Sequence, residues 1–199
     1  MSRSFLAIAA AAGLFTRTAM ADDVAALVGK AERLERLDPF LEKVLGRCTD
    51  PYGRAACEAA AASARKSVAD RTYVVRVSDA TALVRPEIKG DRYLLLLTPF
   101  LDGGGLALTN GSPVSQDREG NPVVKLVPIR GRLRTGEMDL DFLSPFRTGA
   151  VELEIVFQPG KAWKLPKKGG GFVEGLGARF LAVRLLDARR GTEIASQIL

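Results

Sequence analysis

The sequence predicts a mainly β protein of the α+β class: an antiparallel β-sandwich or barrel preceded by a segment of two or three helices. Three observations carry that expectation. Apolar residues recur at helical three- and four-residue steps in the stretch that begins at Val24 and ends near Ser67. Beyond about position 71 the chain breaks into short β-branched and aliphatic runs, punctuated by Gly, Pro, Asn and Asp roughly every ten residues. No helix-length segment separates those runs, which argues against a parallel α/β sheet. The expected organisation is a signal peptide over 1–21, a helical N-terminal segment over 22–70 and an antiparallel β-sandwich domain over 71–199.

The first element reads as an export signal. Arg3 precedes an apolar stretch over 5–15, and Ala19 and Ala21 occupy the −3 and −1 positions of a small-residue cleavage site ahead of Asp22. The stretch is about half of the ~20 apolar residues that a bilayer span needs. It is therefore read as a signal peptide cleaved after Ala21 and not as an anchor. No later apolar run exceeds strand length, so the expected product is periplasmic or secreted and not an integral membrane protein.

The helices follow. Val24, Leu27, Val28, Ala31, Leu34, Leu41, Val44, Leu45 and Cys48 recur at helical spacing with charged residues between them. Asp38-Pro39 interrupts the pattern in the manner of an N-cap followed by proline, so two helices are expected to meet there. Asp50-Pro51 repeats the device and opens a third helix with an alanine-rich face over 55–62. Cys48 and Cys57, the only cysteines, are expected to pair as a disulfide in an oxidising compartment. The alternative is two buried thiols. For the ten-residue loop the bridge would close, chain entropy gives ~2.7 kcal/mol.

Candidate strands cover 72–78, 81–88, 92–98, 106–109, 123–134, 138–142, 151–157, 179–186 and 192–198. A two-residue loop at Thr135-Gly136 predicts a hairpin in which Arg134, Arg132 and Arg130 face Glu137, Asp139 and Asp141, while Leu133 faces Met138. The text of 134–142 nearly recurs at 147–155, which suggests two turn-plus-strand units with acidic outer faces. Glu152 and Glu154 have no evident basic partner strand, and convergence of Asp139, Asp141, Glu152 and Glu154 would create an acidic cation site.

Composition narrows the chemistry. There is no histidine, which removes the commonest general base and the commonest zinc ligand. No metal site and no cofactor are expected, because two sulfurs nine positions apart fall short of four ligands. Removing 1–21 takes away Arg3 and Arg17 and no acid, leaving 178 residues with 27 bases, 23 acids and a net charge of +4. That is too mild for a dedicated nucleic-acid binder. Ser63-Ala-Arg-Lys66 has the spacing of a serine nucleophile and its lysine but lacks the companion motifs, and reads as an exposed helix end. The glycine runs at 103–105 and 169–171 lack the ending of a phosphate loop. Asn110-Gly111-Ser112 reads first as a turn.

The most suggestive surface feature lies in 160–168, where Lys161, Lys164, Lys167 and Lys168 surround Trp163, the only tryptophan, ahead of a glycine run. Lysines there could meet an envelope protein, a glycan or an anionic membrane surface while the Trp163 indole lies at the interface, which makes Trp163 a binding candidate together with the four lysines. The plainer alternative packs Trp163 in the core and leaves the lysines to solvate a hairpin.

Leu37-Asp-Pro-Phe-Leu41, the cysteine pair, the Thr-Pro-Phe-Leu-Asp-Gly-Gly-Gly centre of 95–108, and the stretches 163–171 and 178–185 resemble an uncharacterised family of exported bacterial proteins, a domain of unknown function. The resemblance spans nearly the whole mature chain and implies no activity and no site residues. The expectation is a binding or structural module of the cell envelope rather than an enzyme, with no catalytic residue assigned. The rival class is a carboxylate-dependent hydrolase or cation-binding protein of the periplasm.

Overall fold

A computed structural model describes residues 15–199 apart from Thr49, Gly104 and Thr135. The expected cleavage signal over 1–21 lies largely outside the described residues. Helix α1 (Phe15–Lys30) is followed by strand β1 (Glu32–Leu34), then α2 (Leu37–Leu45) and α3 (Arg54–Val68). The two helices do not meet at Asp38-Pro39 as expected: α1 ends at Lys30, β1 intervenes, and both residues sit inside the first turn of α2, whose N-cap is Arg36. Proline is tolerated there because the first four amides of a helix have no partner to lose. Asp50 does not cap α3, whose N-cap is Gly53, but its carboxylate holds the turn that leads into the helix, accepting the Tyr52 amide at 3.0 Å and the Gly53 amide at 3.2 Å. The disulfide forms, with Cys48 and Cys57 Cα atoms 5.6 Å apart, and ties the segment after α2 to the first turn of α3.

Twelve strands are described in all. After β2 (Tyr73–Val77) and a 3-10 turn (Ala80–Leu83) come β3 (Val84–Lys89), β4 (Arg92–Leu97), β5 (Phe100–Gly103), β6 (Leu106–Asn110), β7 (Ser115–Gln116), β8 (Pro122–Val123) and β9 (Val127–Arg132). Helix α4 (Asp139–Arg147) then precedes β10 (Val151–Pro166), β11 (Phe172–Asp187) and β12 (Thr192–Ile198). The large sheet runs β1-β2-β10-β11-β6-β5, with β12 also on β11, and the smaller one β3-β4-β9. Pairing is antiparallel except at β1–β2 and β6–β11. The large sheet stays open, which resolves the sandwich-or-barrel alternative against a closed barrel.

One core lies between the two sheets. Leu153, Ile155 and Phe157 of β10 face Leu95 and Leu97 of β4, Ile129 of β9 and the buried side of α2, formed by Phe40, Leu41 and Val44. Phe40, Tyr73 and Phe157 form a ring cluster, the closest pair of centroids 4.9 Å apart. Such a pair adds ~0.5–1.5 kcal/mol beyond its buried area. On the other face of the large sheet, Val24 and Val28 of α1 cover Val74, Val156 and Ala182.

Two expectations need correction here. The hairpin at Thr135-Gly136 does not form: β9 stops at Arg132, and 138–142 opens α4 instead of a strand. The reason is tertiary. Phe142 and Phe146, four apart on one helix face, reach the core, and Phe142 stacks on Tyr93 with centroids 4.7 Å apart. The predicted arginine ladder does not form: Arg132 pairs with Asp91 at 3.7 Å, and Arg134 meets its expected partner Glu137 only through its backbone amide, which donates to the carboxylate at 2.9 Å. Leu133 packs on the core while Met138, its expected partner, is 64% exposed. The side chain of Asp139 lies outside the described residues.

Glu152 and Glu154, expected to lack basic partner strands, have them. Arg76 of β2 pairs with Glu152. Glu154, 1% exposed, accepts the Arg184 Nε of β11 at 2.8 Å, with Arg33 of β1 at 3.5 Å. The Glu152 carboxylate raises Arg76 above the ordinary arginine value.

Candidate functional site

The lysine-rich stretch lies at the turn end of the long β10–β11 hairpin. Trp163 is buried, 9% exposed, and its indole N–H donates to the Thr109 hydroxyl of β6 at 3.0 Å. Thr109 passes the bond on to the Gly111 carbonyl at 2.6 Å. A Cβ on Gly175, opposite Trp163 in the ladder, would stand 2.4 Å from the indole and 2.5 Å from the Ala107 carbonyl, so only glycine fits there. The indole is thus an anchor that fixes the hairpin end on β6, while Lys161, Lys164, Lys167 and Lys168 are exposed.

Strand alternation sorts the hairpin end into two faces. Lys164 opposes Glu174 and Pro166 opposes Phe172 on one side; Leu165 and Val173 oppose each other on the other. The Lys164 ammonium lies 3.5 Å from the Glu174 carboxylate and 4.5 Å from the centroid of Phe172, which is 57% exposed. The turn closes through the Lys167 amide on the Gly171 carbonyl at 3.0 Å, with Gly169, Gly170 and Gly171 all at positive φ. The small β7–β8 hairpin braces it: the Gln116 side-chain amide donates to the Pro166 carbonyl at 2.6 Å, and the Lys168 ammonium to the Arg118 carbonyl at 3.4 Å. Within that brace the Asn121 backbone amide, seconded by its side-chain amide, holds the Asp117 carboxyl below the usual aspartate value.

A groove lies on each side of the hairpin end. The first, about 740 Å³, runs between Lys164, Phe172 and Glu174 and the disulfide segment, where Arg47, Cys48, Arg54 and Glu58 line it. The second, about 490 Å³, is lined by Leu83, Phe100, Pro122, Val124 and Val173, with Lys167 also present. Gly105, in the β5–β6 turn, lines both. Each volume is typical of small-molecule sites. The structure therefore brings Lys164 and Lys167 to grooves, ties Lys168 to the brace and leaves Lys161 on the open strand. Arg47, Arg54 and Phe172 were missed by sequence reasoning; only the closeness of both arginines to the cysteines pointed to them.

The family of unknown function DUF6066 matches residues 1–198. The chain belongs to that family. No curated protein and no solved structure matches it. In this DUF6066 chain the remaining candidates for chemistry stand apart from the grooves. Ser63 and Lys66 are exposed on α3. The Asn110 side chain accepts the Phe180 amide at 3.1 Å and serves the strand junction. Glu152 and Glu154 lie in ion pairs on the large sheet, whereas Asp141 lines a crevice of about 60 Å³ with Glu137 and Arg134. Among the described residues no group of three or more His, Cys, Asp or Glu is placed to hold a metal ion. Nor is any described helix long and apolar enough to cross a membrane.

Proposed function

We propose that this protein is an exported component of the bacterial cell envelope that acts as a binding module through the lysine-bearing end of the β10–β11 hairpin. The observation that carries the reading is the position of Lys164: it lines the larger groove opposite Arg47 and Arg54, and a buried indole and a braced turn hold its hairpin in place. Such preorganisation lowers the ordering cost of binding. The Cys48–Cys57 bridge fits an oxidising compartment and fixes the opposite wall of the groove.

The test is crosslinking and pull-down from the protein's own envelope fraction, comparing the wild type with Lys164→Glu plus Lys167→Glu. Recovery of bound material should fall at least fivefold in the double variant. Unchanged recovery at low salt would overturn the reading.

A further inference from the structure

We infer that the two grooves form one site for a single-chain anionic amphiphile, its acyl chain in the apolar groove and its phosphate or carboxylate head in the basic one. The inference rests on the binding reading above and names its ligand class. The first support is the contrast between the grooves. Leu83, Phe100, Pro122, Val124 and Val173 give the smaller one an apolar wall. Its carboxylate, Asp102, is engaged by the Gly105 amide at 2.8 Å. In the larger groove three cations, Arg47, Arg54 and Lys164, outnumber two carboxylates, Glu58 and Glu174; Lys164 is paired with Glu174 and Arg47 with Glu42, whereas Arg54 has no ion-pair partner among the described residues. An unpaired guanidinium over an open groove suits a planar or tetrahedral oxyanion, which it can engage in bidentate fashion.

The second support is continuity. Gly105 belongs to both linings and carries no side chain to wall one groove from the other. A free anion would leave the apolar groove empty, and an uncharged chain would leave Arg54 unmatched. One molecule with both chemistries satisfies both. Lys167 of the smaller groove and Lys164 of the larger belong to the same hairpin end, so the ligand would cross beside it.

The experiment is calorimetric titration of the purified protein with dodecyl phosphate, octyl phosphate, inorganic phosphate and dodecyl maltoside, each below its micelle concentration. Dodecyl phosphate should bind one to one. A buried methylene is worth a factor of about four in affinity, and in an open groove octyl phosphate should still bind at least tenfold more weakly. Arg54→Gln should weaken dodecyl phosphate about tenfold and leave the melting temperature unchanged, because Arg54 has no ion pair to lose among the described residues and glutamine is a comparable helix former. Val124→Asp should abolish the advantage of dodecyl over octyl phosphate. Equal affinity for the two chain lengths, or dodecyl maltoside binding as tightly as dodecyl phosphate, would overturn the inference. If dodecyl phosphate does not bind while the pull-down still depends on Lys164 and Lys167, the amphiphile is wrong and the binding reading stands. If neither holds, both fall.

Discussion

Residues 134–142 and 147–155 carry nearly the same text, Arg-Thr-Gly followed by acids alternating with apolar residues, yet the first copy leads into helix α4 and the second into strand β10. Aligned position by position, Met138 is 64% exposed where Val151 is fully buried, and Leu140 is 58% exposed where Leu153 is fully buried. Asp141 is exposed and Glu154 is buried. The only aligned apolar pair buried in both copies is Phe142 and Ile155. Five alternating residues do not choose between helix and strand. In the first copy the choice falls to Phe146, one helical turn beyond Phe142. In the second it falls to β2 and β11, which flank the strand and bring Arg76 and Arg184 to its glutamates.

The difference can be broken by substitution at aligned positions. The largest effect is expected where the copies agree: Phe142→Ala should cost about 3–5 kcal/mol and Ile155→Ala about 2–5 kcal/mol in urea unfolding. A loss below about 1 kcal/mol for Phe142→Ala would mean that α4 is not docked on Tyr93. Next comes the pair that should diverge. Leu153→Ala is expected to cost about 2–5 kcal/mol, and Leu140→Ala less than about 0.5 kcal/mol; equal losses would remove the contrast.

The acids should diverge somewhat less. Arg184→Met leaves the Glu154 carboxylate buried with only the longer Arg33 contact and should cost about 3 kcal/mol. Asp141→Asn should change stability by less than about 0.5 kcal/mol. The smallest effect lies at the brace of the hairpin that the second copy begins. Because the folded Asp117 carboxyl titrates below its unfolded value, its stabilisation is present above the usual aspartate range and is lost as pH falls through the folded value. The Glu119 and Asn121 amide signals should therefore hold steady through mild acid and shift only below that range. A midpoint at or above the ordinary aspartate value would contradict the hydrogen-bonded turn.

Much of the architecture was legible because it is local. The proline-marked helices, the cysteine pair and the alternation of Tyr93, Leu95 and Leu97 need only neighbouring residues to be read. What escaped was set by distant partners. Strand β1 is three residues long and exists through its parallel pairing with β2. Strands β10 and β11 extend to 16 residues each, past Pro159, Gly160, Gly175 and Gly177, which read as breaks. Pro159 and Gly160 sit at an irregularity in the ladder, and Gly175 makes room for the indole. The first part of the predicted strand over 81–88 is a 3-10 turn.

The site divides in the same way. That Lys161, Lys164, Lys167 and Lys168 are exposed on a hairpin with Trp163 buried beneath them was one of the two alternatives the sequence offered. That Lys164 faces Arg47 and Arg54 depends on the disulfide segment meeting the hairpin end, which no local pattern encodes.

The central claim is that this end of the hairpin binds through its charge. The direct measurement is recovery of envelope material by the wild type and by Lys164→Glu plus Lys167→Glu across a salt series, since exposed charges are screened beyond about 8 Å at physiological ionic strength. The account predicts wild-type recovery that declines as salt rises and a double variant that recovers little at any salt. Equal, salt-independent recovery by both proteins would contradict it.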